Sequence, residues 1–336
     1  MPDTDVLILG GRETRALLAG REREIIAAVR DAYVTHGRGE TSLPHSTFLR
    51  FPDNPDNRII ALPAYLGGDF RVAGMKWIAS FPGNLARGME RASAVIVLNS
   101  AETGRPQAIL EGSLVSAKRT AASATLAALT LHAGTVERAG LIGCGLINFE
   151  VARFLRAVFP TLEGFVLYDV DAARASEFAA KCVREFGPVE VETAADAARV
   201  LASSTLVSLA TTALAPNISD LSNCPRGTTI LHVSLRDLTA EAILAADNVV
   251  DDIDHVCRAQ TSVHLAEQLG GSRDFIRCTL ADILDGRAAA TAGDGRVVVF
   301  SPFGLGVLDL AVARLVYEWA LRGGVGTSLS GFLPDG

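Results

Sequence analysis

Three charged side chains interrupt stretches that are otherwise small or apolar: Lys76 in GMKWIASFPGN, Arg119 in SAKRTAAS and Asp237 in HVSLRDLTAE. The net charge of the chain is −7, so an anionic ligand would have to be met by a few local cations, and Lys76 and Arg119 are of that kind. Asp237 lies just beyond the strand-like run TTILHVSL. If that run belongs to an open parallel sheet, its carboxyl end faces the ligand crevice, where an aspartate can do acid/base work. Each residue also has a plainer reading. Lys76 could lie on the exposed face of an alternating strand, and Arg119 could pair with an acid on its own helix. Asp237 could cap the helix TAEAILAAD, although Thr239 is better placed for that.

A second constellation is GLIGCGLINFEVARFL, residues 140–155. In a dinucleotide fold, the first glycine permits a tight turn and the second lets the backbone approach a pyrophosphate, which the helix amino terminus then holds. Gly143 and Gly145 suit these roles, with the N–H groups of Leu146 and Ile147 following. The third position of the pattern is Asn148, a residue able to cap the helix or to contact the cofactor directly. FVLYDV places Asp169 at the end of the next strand, 26 residues after Gly143. An acid there accepts both ribose hydroxyls and repels a 2′-phosphate, so NAD is expected over NADP, with Arg174 able to soften the repulsion. Thr211 and Ser234, at the ends of two further strand-like runs, are additional candidates for cofactor binding. Gly10 and Gly11 in LILGGRETR also follow a strand, but they lack the spacing and read as a turn.

These residues need elements to hold them. RIIALPAYL, VAGMKWIASFP, SAVIVLNS and PQAILEGS read as strands, with hairpin chemistry in AETGRP, and LVSAKRTAASATLAALTLHA reads as a helix leading out of this part. From Arg138, strands (AGLIGCG, GFVLYDV, STLVSLATT, TTILHVSL, NVVDDID) alternate with helices, the pattern of a doubly wound parallel sheet. After VVVFSPFG, the amphipathic run GVLDLAVARLVYEWALRG is expected to pack back on the first domain. The fold class expected is α/β: a Rossmann-type doubly wound parallel sheet at 136–300, and a second, strand-rich α+β domain formed by 1–135 with 301–336.

At 336 residues, two domains are expected. No run approaches the roughly 20 apolar residues of a membrane helix, and MPDTDVLILGG does not read as a secretory signal, so a cytoplasmic location is expected. The net charge argues against nucleic-acid and membrane surfaces. Cysteines 144, 182, 224, 257 and 278 include no C-x-x-C pair, which points away from disulfides and zinc. His45, His232 and His255 lack metal-ligand spacing and read as core or surface residues. No G-x-S-x-G or P-loop is present.

Taken together and in this order, the Lys76 strand, KRTAAS, GLIGCG, the Asp237 segment and FSPFGLGVLDLA resemble the ornithine cyclodeaminase/μ-crystallin family across nearly the whole chain. LPHSTFLRF, GCGLINFE and SLRDL are most similar to members that oxidise N-(2-amino-2-carboxyethyl)-L-glutamate to 2,3-diaminopropionate, used in siderophores and peptide antibiotics. The resemblance implies an NAD-dependent homodimeric oxidoreductase whose substrate and dimer contacts lie in the strand-rich domain. It also implies that Lys76 and Arg119 bind a substrate carboxylate, with Lys76 near the chemistry, and that Asp237 is the catalytic acid. The family's carboxylate-binding arginine near SLPHST is replaced here by Ser46 beside His45. Arg50, Lys118 and Arg236 are further cations for a substrate with three carboxylates. Cyclodeamination, ketimine reduction and silent NAD binding are the alternative activities.

Overall fold

The computed structural model describes residues 4–334. The residues MPD at the start of the opening segment lie outside the described residues. The chain forms two compact units, Met1–Arg119 with Leu305–Gly336, and Thr120–Gly304.

The first unit opens with β1 (Val6–Leu9), α1 (Gly11–Leu18) and α2 (Glu22–Gly37). Strands β2 (Thr41–Ser42), β3 (Thr47–Phe51), β4 (Asn54–Leu66), β5 (Val72–Ser80), β6 (Ala92–Ser100) and β7 (Pro106–Glu111) follow, then α3 (Gly112–Leu131). The second unit contains β8 (Arg138–Ile142), α4 (Leu146–Val158), β9 (Gly164–Tyr168), α5 (Ala172–Phe186), β10 (Glu190–Thr193), α6 (Ala197–Ser203) and β11 (Leu206–Leu209). It continues with β12 (Thr229–His232), α7 (Ala240–Ala245), β13 (Asp247–Val250), α8 (Ile253–Val256), α9 (Ser262–Gly270), β14 (Ile276–Thr279), α10 (Leu280–Leu284) and β15 (Val298–Ser301). Helix α11 (Gly306–Gly323) and β16 (Thr327–Leu329) return to the first unit. The division between the units falls inside α3, whereas the sequence pattern placed it after that helix.

The first unit is built on a mixed sheet of order β16-β1-β7-β6-β5-β4-β2, with β3 also on β4. Its strands put alternate residues on opposite faces. Leu62, Lys76, Ile96 and Leu110 form one lateral row, and Ala61, Trp77, Val95 and Glu111 form the next. The face carrying Lys76 is covered by α11. Residues Val307 to Val312 of that helix are all buried, as expected for a helix apolar on every side. Gly74 permits this close packing: a Cβ there would stand 2.3 Å from Val97 O and 3.0 Å from Leu310. The opposite face leaves Leu49, Tyr65 and Trp77 exposed.

Helix α2 was absent from the sequence reading, which took the first part as strands and turns. Buried Ile25, Ile26, Val29, Ala32 and Tyr33 recur at helical spacing in it. Gly10 and Gly11 join β1 directly to α1, with Gly10 at the cap position.

The second unit is an all-parallel sheet of order β10-β9-β8-β11-β12-β15-β13-β14. Strand order reverses direction between β8 and β11, which makes that point the topological switch. The glycine turn lies there. Gly143 has φ +93, and a Cβ on it would fall 2.6 Å from Ala210 O, so only glycine fits. Its N–H donates to Tyr168 O at 2.8 Å. Asn148 neither caps α4 nor offers its side chain to a ligand. The cap position is Gly145, and Asn148 is fully buried inside the first turn. Its amide nitrogen donates to Ile142 O at 2.9 Å and Gly143 O at 2.7 Å, and its Oδ1 accepts the Ser208 hydroxyl at 2.7 Å. One side chain therefore ties the end of β8 to its turn and to β11.

The chain leaves the second unit through Phe303 and Gly304, whose N–H groups donate to buried Asp251 at 2.9 and 2.8 Å. Burial pushes that carboxyl up to about 6.

Asn148→Ala strips two buried carbonyls and one hydroxyl of their partner, so unfolding in urea should show a loss of roughly 2–4 kcal/mol. A loss below about 0.5 kcal/mol would contradict the pinning role.

Candidate active-site residues

In the first unit, three elements converge on one buried charge cluster. Lys76 of β5 is 2% exposed and Asp309 of α11 is 0% exposed, so neither charge is hydrated from outside. Lys76 Nζ stands 2.7 Å from Asp309 Oδ2, and Arg119 Nε of α3 donates to Asp309 Oδ1 at 2.9 Å. Lys76 also donates to Ser116 Oγ at 3.1 Å. The plainer readings of both cations are thereby overturned: Lys76 is not on an exposed face, and Arg119 pairs with an acid 190 residues away and not with one on its own helix.

Two cations share one carboxylate, which leaves the cluster with an excess positive charge. The Nη groups of Arg119 carry no hydrogen bond to a described residue and remain as donors. The Lys76 ammonium is lowered to about 8, first by burial and then by the Arg119 charge, with Asp309 opposing both. A small carboxylate would match both the missing negative charge and the guanidinium fork.

The other cations named from sequence have contacts of their own. Lys118 faces Glu22 at 3.9 Å, and Arg236 donates to Ala259 O at 2.8 Å. Arg50 is exposed, with its guanidinium 5.7 Å from the centroid of the Phe48 ring. Ser46 precedes β3 by one residue, and the Thr47–Ala61 pairing continues it opposite Leu62, the neighbour of Lys76. It thus lies in the Lys76 row, about 10 Å away across two strand spacings. His45, one residue earlier, is exposed.

In the second unit, the carboxyl edge of the sheet holds two features. The first is the glycine turn, with α4 behind it. Gly145 has open space where a Cβ would be and an ordinary negative φ of −101, so nothing within the chain demands glycine there. The open space there leaves room for a ligand to approach the backbone closely. No side chain caps α4, and the N–H groups of Leu146 and Ile147 belong to the first turn, where helix geometry provides no partner. Asp169 accepts Cys144 N–H at 2.8 Å and Asp171 N–H at 3.0 Å, using half its acceptor capacity. Arg174 pairs with Asp171 at 4.0 Å and not with Asp169. Val170 and Leu214 are 89% and 90% exposed just beyond β9 and β11, and present apolar surface beside the turn that no sequence motif marked. These residues fit a dinucleotide: the N–H groups suit a pyrophosphate, Asp169 a ribose, and Val170 and Leu214 a flat ring.

The second feature is Asp237, 1% exposed. Thr211 donates to its Oδ1 and Ser234 to its Oδ2, so these two residues, expected to contact a cofactor, have their hydroxyls engaged by the aspartate. His232 Nε2 lies 3.4 Å from Asp237 Oδ2, and its Nδ1 lies 3.2 Å from Ser301 Oγ. Burial pushes Asp237 up, but hydrogen bonds from His232, Ser234 and Thr211 outweigh it and hold the carboxyl below the usual range. Asp237 is therefore a preorganised anion. Leu235, two residues before, has φ +67, a strained conformation of the sort that persists where surrounding contacts over-determine it. Asp237 does not cap α7; Thr239 does, accepting Ala242 N–H. His232 was read from sequence as an ordinary core or surface histidine. The available signal was its place at the carboxyl end of a buried strand.

The fold has known counterparts. The model of the ornithine cyclodeaminase/mu-crystallin family matches residues 17–324. The N-((2S)-2-amino-2-carboxyethyl)-L-glutamate dehydrogenase of Staphylococcus aureus is 28% identical over 91% of this chain and 92% of its own length. Among solved structures, Thermococcus litoralis Delta(1)-pyrroline-2-carboxylate reductase in complex with NADH and L-proline superposes with a TM-score of 0.89 at 27% identity, covering 96% of this chain and 99% of the other. An archaeal alanine dehydrogenase dimer with bound NAD gives 0.86 at 27% identity, covering 97% and 99%. With a family model spanning most of its length and an architecture matching across both units, this chain belongs to the ornithine cyclodeaminase/mu-crystallin family.

Proposed function

We propose that the protein is an NAD-dependent oxidoreductase of amino acids that cleaves N-(2-amino-2-carboxyethyl)-L-glutamate to 2,3-diaminopropionate and 2-oxoglutarate. The observation that carries this reading is the buried cluster in which Lys76 and Arg119 share Asp309. Its excess positive charge calls for a carboxylate, and the amino-acid oxidoreductases similar to this chain act on carboxylate-bearing amines or imines. Similarity to the Staphylococcus aureus dehydrogenase supports the particular substrate.

Gly143, Gly145, the start of α4 and Asp169 hold the cofactor in this reading. Bound NAD⁺ supplies the acceptor for the hydride lost from the glutamyl α-carbon. Lys76 and Arg119 bind the α-carboxylate, and Asp309 keeps the Lys76 ammonium charged despite its burial. Asp237 takes a proton from the substrate ammonium or from the water that adds to the imine. A carboxylate held below its usual range is ionised at any working pH and also favours the cationic imine beside it. His232 lies behind it, its Nε2 accepting the Asp237 backbone N–H at 3.3 Å and so helping to fix the carboxylate. The carbinolamine then collapses to the two products. A homodimer completes the proposal, with the exposed apolar sheet face of Leu49, Tyr65 and Trp77 as the contact surface.

Purified protein with NAD⁺ and the conjugate should produce NADH and 2-oxoglutarate in equal amounts, followed by absorbance. Ornithine converted to proline without net NADH would make the protein a cyclodeaminase instead. Asp237→Asn should lower kcat by about 10²–10⁴ while NAD⁺ affinity stays within a few-fold; unchanged turnover would remove Asp237 from the chemistry. Lys76 is an ammonium below a pH of about 8 and a neutral amine above it. KM should therefore rise as pH increases through that value, and Lys76→Arg should flatten the rise, because a guanidinium does not titrate there.

A further inference from the structure

A second group of cations in the first unit lacks an acidic partner. Strand register sets Arg50 opposite Arg58 and Arg58 opposite Ser80. Arg91, immediately before β6, donates from Nε to Ser80 Oγ at 3.3 Å. Like charges directly opposed in an antiparallel pair are destabilising. Nevertheless, no ion pair joins Arg50, Arg58 or Arg91 to a carboxylate among the described residues, and Asp53, Asp56 and Glu90, the acids closest in sequence, make none with them. No carboxylate among the described residues offsets the repulsion in this arrangement.

Its position gives it a use. Lys76, Ile78 and Ser80 are alternate residues of β5, so the arginine row lies on the same sheet face as Lys76. Four residues separate the rows, about 13 Å along the strand. Helix α11 begins over the Lys76 row: a Cβ on Gly306 would meet Leu62 O at 3.2 Å, and Leu310 lies against Gly74. The helix runs from Leu62 towards Gly74, away from Ser80, so the strand ends that carry the guanidinium groups extend past its first turn. Arg50 lies over the Phe48 ring and Arg91 on Ser80, which orders two of the three groups before any ligand arrives.

We infer that Arg50, Arg58 and Arg91 form a second carboxylate subsite, which receives the distal carboxylate of a substrate whose α-carboxylate lies at Lys76 and Arg119. The inference rests on the preceding reading of Lys76 and Arg119, and narrows the substrate class to di- and tricarboxylic amines. A monocarboxylic amino acid leaves the arginine row unneutralised; a glutamate-derived amine fills both subsites. Burial and the charge of Arg58 both disfavour the cationic form of Arg91, a strain that a bound carboxylate relieves.

The test is binding of 2-oxoglutarate, a dicarboxylate, against pyruvate, a monocarboxylate, to the NADH-loaded protein by calorimetry. Arg58→Gln and Arg91→Gln should each weaken 2-oxoglutarate about tenfold or more and change pyruvate less than twofold, with Arg58→Lys retaining part of the difference. The ligand-free melting point of Arg58→Gln should hold or rise by about 2 °C as the repulsion is removed. Equal losses for both ligands, no loss for either, or a wild-type protein that does not prefer 2-oxoglutarate would each overturn the subsite. So would a shift of Arg58→Gln from dimer to monomer in light scattering with 2-oxoglutarate binding unchanged, which would assign the arginines to an acid of a second copy. Binding is read without turnover, so a protein that makes no NADH from the conjugate yet loses 2-oxoglutarate selectively refutes only the proposed reaction.

Discussion

Two buried cations sharing a single buried carboxylate is the constraint around which the first unit is organised. An ion taken out of water costs several kcal/mol unless it is paired and hydrogen-bonded. Lys76 can remain charged inside the sheet only because α11 brings Asp309 to within 2.7 Å and α3 brings Ser116 to within 3.1 Å. The late return of the chain to its first unit is therefore an electrostatic requirement as well as a packing one. Gly74 and Gly306 let the helix come close enough to satisfy it. The pairing is incomplete by one negative charge, and the proposed carboxylate site rests on this deficit.

The second unit follows the opposite logic at the edge of its parallel sheet. Its polar side chains there are satisfied internally: Asn148 by the backbone of the glycine turn, and Asp237 by Thr211, Ser234 and His232. Open to a ligand are the first turn of α4, the space at the absent Cβ of Gly145 and the remaining acceptor capacity of Asp169. Rigid side chains set the shape, and main-chain donors are left to meet an anion. This division of labour suits a cofactor whose phosphates need oriented dipoles more than they need compensating charge. Asp237 is a different case, a side chain held so firmly by hydrogen bonds that burial fails to neutralise it.

Much of this was readable in the linear pattern. Alternation of apolar strands with helices from Arg138 specified a parallel sheet, because strands buried on both faces need continuous apolar runs. The glycine spacing located the turn, and strand ends located Asp237 and Asp169, since side chains there project at the ligand edge wherever the sheet is parallel. Such inferences are local: they depend on neighbours within a few residues. Helix α2 was equally local, with its buried positions at helical spacing, and was nonetheless passed over.

The partners are what the linear pattern could not supply. Nothing near Arg119 announces Asp309, 190 residues on, and nothing near Asn148 announces Ser208, 60 residues on. Asn148 reads as a helix cap until the turn folds over it; His232 reads as core until Asp237 comes round to meet it. Arg50 and Arg58 look like two ordinary surface cations until the β3–β4 register sets them opposite one another. Residue types and spacing settled which backbone elements form and which chemistry the chain carries, because helix and strand periodicity and turn geometry are properties of short segments. Packing settled which charges are paired, which are left over and which hydroxyls are already engaged, because those depend on distances that exist only once segments far apart in the chain share one interior.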